Sequence, residues 1–108
     1  MKANELRLGN LIDRKDYICK VTKIEEGGII TEPLEYKGER FVEQRVEPIP
    51  LTEEWLVKFG FKKGSKGWFK TLSNNHKFNF YMYKNLCSNV HQLQNLYFAL
   101  TGEELTIG

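Results

Sequence analysis

Residues 47–61 read EPIPLTEEWLVKFGF, and within them the apolar period of the chain changes. Pro50 cannot donate to a strand ladder, so it ends whatever sheet precedes it. Thr52 is a good N-cap, Glu53 and Glu54 suit the positive end of a helix, and Leu51 can staple onto Leu56. Gly60 offers the left-handed exit. A short helix burying Trp55, Leu56 and Phe59 is therefore expected here, and it divides the chain into a first half of quick apolar alternation and a second half of longer elements.

Before Pro50 the apolar pieces are too short for helices. LRLGNLI (6–12) is followed by a polar turn from Asp13 to Asp16, and YICKVTKI (17–24) runs to Gly27 and Gly28. IITEPL (29–34) leads to a turn around Lys37 and Gly38, and RFVEQRV (40–46) closes the series. Tyr17, Cys19 and Val21 alternate with Ile18, Lys20 and Thr22, the period of a strand with one buried face. Four or five such strands in meander order predict a small curled sheet or barrel, and the Gly9-Asn10 entry before Leu11 and Ile12 suggests an SH3-like barrel.

After the helix, FKK (61–63), the turn Gly64-Ser65-Lys66-Gly67, WFKTL (68–72), the turn Ser73-Asn74-Asn75 and KFNFYMY (77–83) predict a three-stranded antiparallel meander. Ser88 or Asn89 caps a second helix whose Val90, Leu93, Leu96, Tyr97 and Leu100 form a core-facing stripe, and Gly102 ends it. On its other side fall His91, Gln94, Asn95 and Phe98, neighbours at helical spacing. Phe98 among polar residues marks this side as a contact with a second protein chain or with the preceding barrel, with a ligand face or a different helix register as the alternatives. The expected fold class is thus α+β: a small SH3-like β-barrel or meander over 1–50, then helix, three-stranded antiparallel meander and helix over 51–108. The short EPIP linker predicts one shared core.

At 108 residues the chain should bury roughly 65% of its unfolded surface without metal or disulfide support. Cys19 and Cys87 lie in apolar settings, which favours buried, reduced thiols. No run approaches the roughly 18 apolar residues of a membrane span, and MKANELRLGN lacks the apolar segment of a secretory signal. A cytoplasmic protein without membrane contact is expected. The net charge of +2 hides a partition. Residues 1–54 carry nine Lys or Arg against twelve Asp or Glu, whereas residues 55–102 carry seven lysines and no acidic residue. An anionic partner, complementary surfaces in an assembly, or a solvated lysine face would each explain it.

Chemistry-bearing motifs are sparse. Serine-nucleophile and cofactor motifs are lacking, the two His and two Cys lack metal-ligand spacing, and adjacent carboxylates such as Glu53-Glu54 are explained by helix ends. A non-enzymatic protein with no catalytic residue, metal or cofactor is expected. The best binding candidate is the basic and aromatic meander. Strand alternation aims Asn79, Tyr81 and Tyr83 outward, away from the apolar set Phe78, Phe80 and Met82, where they can join Trp68, Lys63, Lys66, Lys70 and Lys84. Rings that stack bases beside ammonium groups that meet phosphate suit a nucleotide or nucleic acid. Packing of the tyrosines beneath the barrel or at a dimer contact is the competing account.

NELRLGN (4–10), EPIPLTEEWLVKFGF (47–61) and VHQLQNLYFALTGEEL (90–105) resemble a family of small proteins with no assigned activity, encoded by Bacteroides-type gut bacteria and their phages and mobile elements. The resemblance spans nearly the whole chain, with 62–89 its most variable part. It implies a bacterial or viral setting and a role in the contest between phage and host. Two functions follow: an accessory protein binding a nucleotide immune signal or nucleic acid, or an inhibitor or adaptor docking onto a host or phage protein through His91, Gln94, Asn95 and Phe98. The charge partition and Phe98 also predict a homo-oligomer, because a symmetric dimer brings each acidic surface to a basic one twice. Light scattering at high micromolar concentration and moderate salt should give at least a dimer mass; a monomer mass would contradict this.

Overall fold

A computed structural model describes residues 6–14, 17–25, 28–35, 41–43 and 47–107. The expected turns at 15–16, 26–27 and 36–40, the end of RFVEQRV at 44–46, and Asn4 and Glu5 of NELRLGN lie outside them. The chain forms two compact units, Met1–Ile49 and Pro50–Gly108.

In the first unit β1 (Leu11–Arg14), β2 (Tyr17–Glu25), β3 (Gly28–Pro33) and β4 (Phe41–Glu43) pair antiparallel in sequence order. Ile12 lies opposite Cys19 and Val21 opposite Thr31. Leu6, Ile12, Cys19, Val21 and Ile29 make the apolar cluster of this unit. The alternation expected along β2 holds at Cys19, Lys20 and Val21, while Tyr17 at the strand entrance is exposed. Gly9, at φ +90°, donates its N–H to Val21 O at 2.8 Å, and Val21 N–H returns to Asn10 O at 2.9 Å. The entry is thereby tied to the middle of β2. Past Val21 the register shifts by one residue, and the Thr22 hydroxyl donates to Ile30 O at 3.2 Å. Such a bulge bends the strand, and Thr22 to Glu25 beyond Val21 are all exposed.

The sheet is open rather than a closed barrel: among the described residues β1 and β4 do not pair. What returns toward β1 is Glu47, which exchanges two backbone hydrogen bonds with Asp13, at 3.0 and 3.3 Å. One bridge does not close a ladder, so the SH3-like expectation reduces here to an antiparallel meander.

The second unit follows the expected order. Helix α1 (Glu53–Lys58) begins at Thr52, whose hydroxyl accepts from Trp55 N–H at 3.4 Å. It ends with Gly60 at φ +89° and Phe61 N–H bonded to Leu56 O. Strands β5 (Lys62–Gly64), β6 (Gly67–Thr71) and β7 (Lys77–Asn79) form the second antiparallel sheet. Instead of continuing to Tyr83, the last strand gives way to a 3-10 turn at Phe80–Met82. The strand alternation therefore fails beyond Asn79: Met82, expected toward the helices, is 61% exposed.

Helix α2 (Val90–Thr101) is capped by Asn89 and Gln92, whose Oε1 accepts from Ser88 and Asn89 N–H at 2.9 and 3.0 Å. Gly102, at φ +74°, ends it as expected. Its buried face is rotated from the apolar stripe. His91 and Gln94, expected on the wet side, are 2% and 3% exposed, whereas Leu100, expected in the core, is 52% exposed. Gln94 finds its partner beyond Gly102: the chain continues to a fully buried Leu105, whose carbonyl accepts from Gln94 Nε2 at 3.3 Å. A polar side chain buried with a partner in this way avoids the cost of desolvation.

Phe78 is the hub of this unit. Its ring stacks on Tyr83 at 5.2 Å, meets Tyr97 of α2 at 5.0 Å and meets Phe61 edge-on at 6.1 Å. Truncation to Phe78→Ala should lower unfolding free energy by about 3–5 kcal/mol, against about 1 kcal/mol for loss of the cap in Thr52→Ala. Urea midpoints read both, and a Phe78→Ala loss no larger than that of the cap variant would contradict the hub assignment.

Candidate functional site: one face of the second sheet

Backbone pairing decides which side chains of β5, β6 and β7 meet. Lys62 lies opposite Phe69, which lies opposite Asn79, so these three form a row across one face. The next row on one side is Gly64 opposite Gly67; on the other it is Thr71 opposite Lys77. Phe69 thus stands at the centre of this face. Lys77 reaches back over its ring, with Nζ 4.9 Å from the centroid.

The glycine row is a floor for rings. A Cβ built on Gly64 would lie 3.0 Å from Phe69 Cε1, and one on Gly67 would lie 3.3 Å from Tyr81 Cβ. Gly67, at φ +120°, also holds a conformation that side chains resist. The 3-10 turn brings Tyr81 to this floor and leaves it exposed.

The opposite face carries Lys63, Trp68, Lys70 and Phe78. This separates the expected binding residues. Asn79 and Tyr81 lie with Phe69, whereas Trp68 and Lys70 share the side of the core residue Phe78. Lys70 is half-buried with its ammonium at Gly60: a Cβ there would come within 2.8 Å of Nζ. At that position it complements the carbonyl end of α1. Tyr83 is half-buried in its stack on Phe78. Lys63, Lys66 and Lys84 are exposed, Lys66 in the two-residue turn between β5 and β6 and Lys84 beyond the 3-10 turn. Of the expected interface on α2, His91 and Gln94 are buried, Asn95 is half-buried and Phe98 is exposed.

Phe69, Lys62 and Lys77 are the residues that strand alternation alone missed. Their signal was the length of the turn after Thr71. Leu72 N–H bonds to His76 O at 2.7 Å, His76 N–H bonds to the Asn74 side chain at 3.0 Å, and Asn75 adopts φ +69°. That turn pairs Thr71 with Lys77 and so puts Phe69, rather than Trp68, beside Asn79.

The face offers a flat ring, a phenol, an amide and two ammonium groups. Phe69 is half-buried, and a cation over a ring contributes from about 0.5–1 kcal/mol at exposed sites to about 2 kcal/mol when desolvated, within or below the roughly 1–3 kcal/mol of a stacked base. Lys77 can therefore yield the ring to a planar ligand and keep its charge at the rim. Acidic charge reaches one end of the sheet: Glu103 accepts from the Ser73 hydroxyl, at the turn between β6 and β7, at 3.0 Å. The same carboxylate adds to burial, the larger cause, in raising the Tyr97 hydroxyl above its ordinary pKa. No group of three or more His, Cys, Asp or Glu able to hold a metal occurs among the described residues, and no described helix is long and apolar enough to cross a membrane. No protein-family model, curated protein or solved structure matches this chain.

Both cysteines are buried and reduced. Burial pushes the Cys87 thiol from 9.0 up to about 11. Below pH 9 the thiol is neutral in the folded and unfolded chain alike; between pH 9 and 11 only the unfolded chain ionises, which favours unfolding. Between pH 8 and pH 11 wild type should lose up to about 2–3 kcal/mol more stability than Cys87→Ala. Urea titrations at the two pH values measure this, and parallel losses in the two proteins would contradict it.

Proposed function

We propose that this chain is a non-enzymatic binding protein that takes a phosphate-bearing ligand, a nucleotide or a nucleic acid, on the face of β5, β6 and β7 centred on Phe69. The observation that carries the reading is the row Lys62–Phe69–Asn79 with Lys77 over the same ring, in a segment, 55–102, that contains no acidic residue. Aromatic planes bind bases or nucleotide rings, and lysines at their rim neutralise phosphate. Trp68, Lys70 and Tyr83 leave the ligand set for structural roles, and Phe69, Lys62 and Lys77 enter it.

The resemblance to small proteins of phages and mobile elements gives the setting: an accessory protein acting on nucleic acid or on a nucleotide signal of host defence. We read the first unit as an SH3-like barrel left open on one side, with the return of Glu47 to Asp13 as support. Docking onto a host or phage protein through α2 is the weaker reading, because burial of His91 and Gln94 leaves Phe98 with only half-buried Asn95 from the expected face. The homo-oligomer belongs to the proposal as well and rests on the uneven charge.

Thermal shift and calorimetry against single-stranded DNA, RNA, and cyclic and linear nucleotides at two salt concentrations test the function. At a ligand concentration of 100 times Kd the folded state should gain about 2.7 kcal/mol. Phe69→Leu combined with Lys62→Glu should abolish that gain, whereas Trp68→Phe should keep it. A wild type stabilised by none of these ligands would contradict the proposal.

A further inference from the structure

Resting on the phosphate-ligand reading of the same face, we infer that its ligand is a single-stranded nucleic acid, with two neighbouring bases held by Phe69 and Tyr81. Gly64 and Gly67 are direct partners across β5 and β6. The Phe69 ring lies against the first, and Tyr81 lies against the second. The two aromatic residues are thus seated on adjoining strands, whose backbones are about 4.8 Å apart. Consecutive nucleotides of one strand advance about 3.4 Å when stacked and more when splayed. Rings resting over two facing glycines can each receive a base, and a mononucleotide has only one to offer.

Charge sets the direction of the strand. At the end where β6 turns into β7, the charge of Lys77 is accompanied by Glu103, held at Ser73. The other end carries the turn Gly64-Ser65-Lys66-Gly67, with Lys66 exposed, and Lys62 stands beside Phe69 in β5. Phosphates therefore pass along the β5 edge, by Lys62 and Lys66, while the bases lie toward β6 and the 3-10 turn. A duplex cannot use this arrangement, since its bases are already stacked and paired; single strands and splayed loops can. The stacking is tolerant of base identity, because every base has a flat face.

Fluorescence anisotropy of labelled oligothymidylates of two, four and eight nucleotides tests this, with thymidine monophosphate and a duplex of matched length as competitors. Phe69→Leu and Tyr81→Ala should each weaken oligonucleotide binding about 5- to 100-fold. Tyr81→Phe should restore it, and a Tyr81→Leu variant separates loss of the ring from loss of bulk. The dinucleotide should bind much more tightly than the mononucleotide, and the duplex should compete poorly. If the monophosphate binds as tightly as the dinucleotide and Tyr81→Ala is without effect, the two-base inference is overturned while the phosphate-ligand reading stands. Equal binding of duplex and single strand, insensitive to both ring substitutions, overturns it too. Should neither oligonucleotide nor nucleotide bind wild type, both readings fall.

Discussion

The turn from Leu72 to His76 is the constraint on which the second unit depends. Its Asn75 in the left-handed region and the Asn74 side chain bonded to His76 N–H hold five residues between Thr71 and Lys77. An odd loop of this length gives partners of equal parity, so Lys70 meets Phe78 and Phe69 meets Asn79. One residue more or less would move every side chain of β7 to the other face. Phe78 would then leave the ring cluster with Tyr83, Phe61 and Tyr97, and Asn79 would leave Phe69. Core and candidate site are thus two consequences of one register.

Much of the architecture is legible in local signals. Thr52 followed by Glu53 and Glu54, Gly60 after Phe59, and Gly102 after Thr101 mark helix boundaries through capping chemistry that acts within a few residues. The alternation of Cys19, Lys20 and Val21 marks a strand for the same reason. Barrel closure is a different kind of property. It depends on whether distant edges meet, and the one described return, Glu47 to Asp13, joins a single residue pair.

The misplaced faces have separate physical causes. On α2 a stripe of Val, Leu and Tyr pointed to one buried side, but the residues after Gly102 turn back and bury Leu105, with Gln94 bonded to its carbonyl. Gln94 is inside because the tail supplies its partner, which helical periodicity does not record. In KFNFYMY strand alternation ends at Asn79, where the backbone tightens into a 3-10 turn that sends Tyr81 over Gly67 and exposes Met82. Alternation within a strand does not say whether Trp68 or Phe69 shares a face with Asn79; sharing across strands depends on loop parity. Asn79 belongs to the candidate site by its register beside Phe69, and Tyr81 by the turn that sets it against Gly67.

A titration of isotope-labelled protein with a short single-stranded oligonucleotide, followed by amide and aromatic NMR shifts, tests the central claim most directly. Binding on the face set by the β6–β7 register predicts that the largest shifts cluster at Lys62, Gly64, Gly67, Phe69, Lys77, Asn79 and the Tyr81 ring, with Trp68, Tyr83, His91 and Gln94 little changed. Shifts concentrated at Trp68 and Lys70, or along α2 at Asn95 and Phe98, would contradict it.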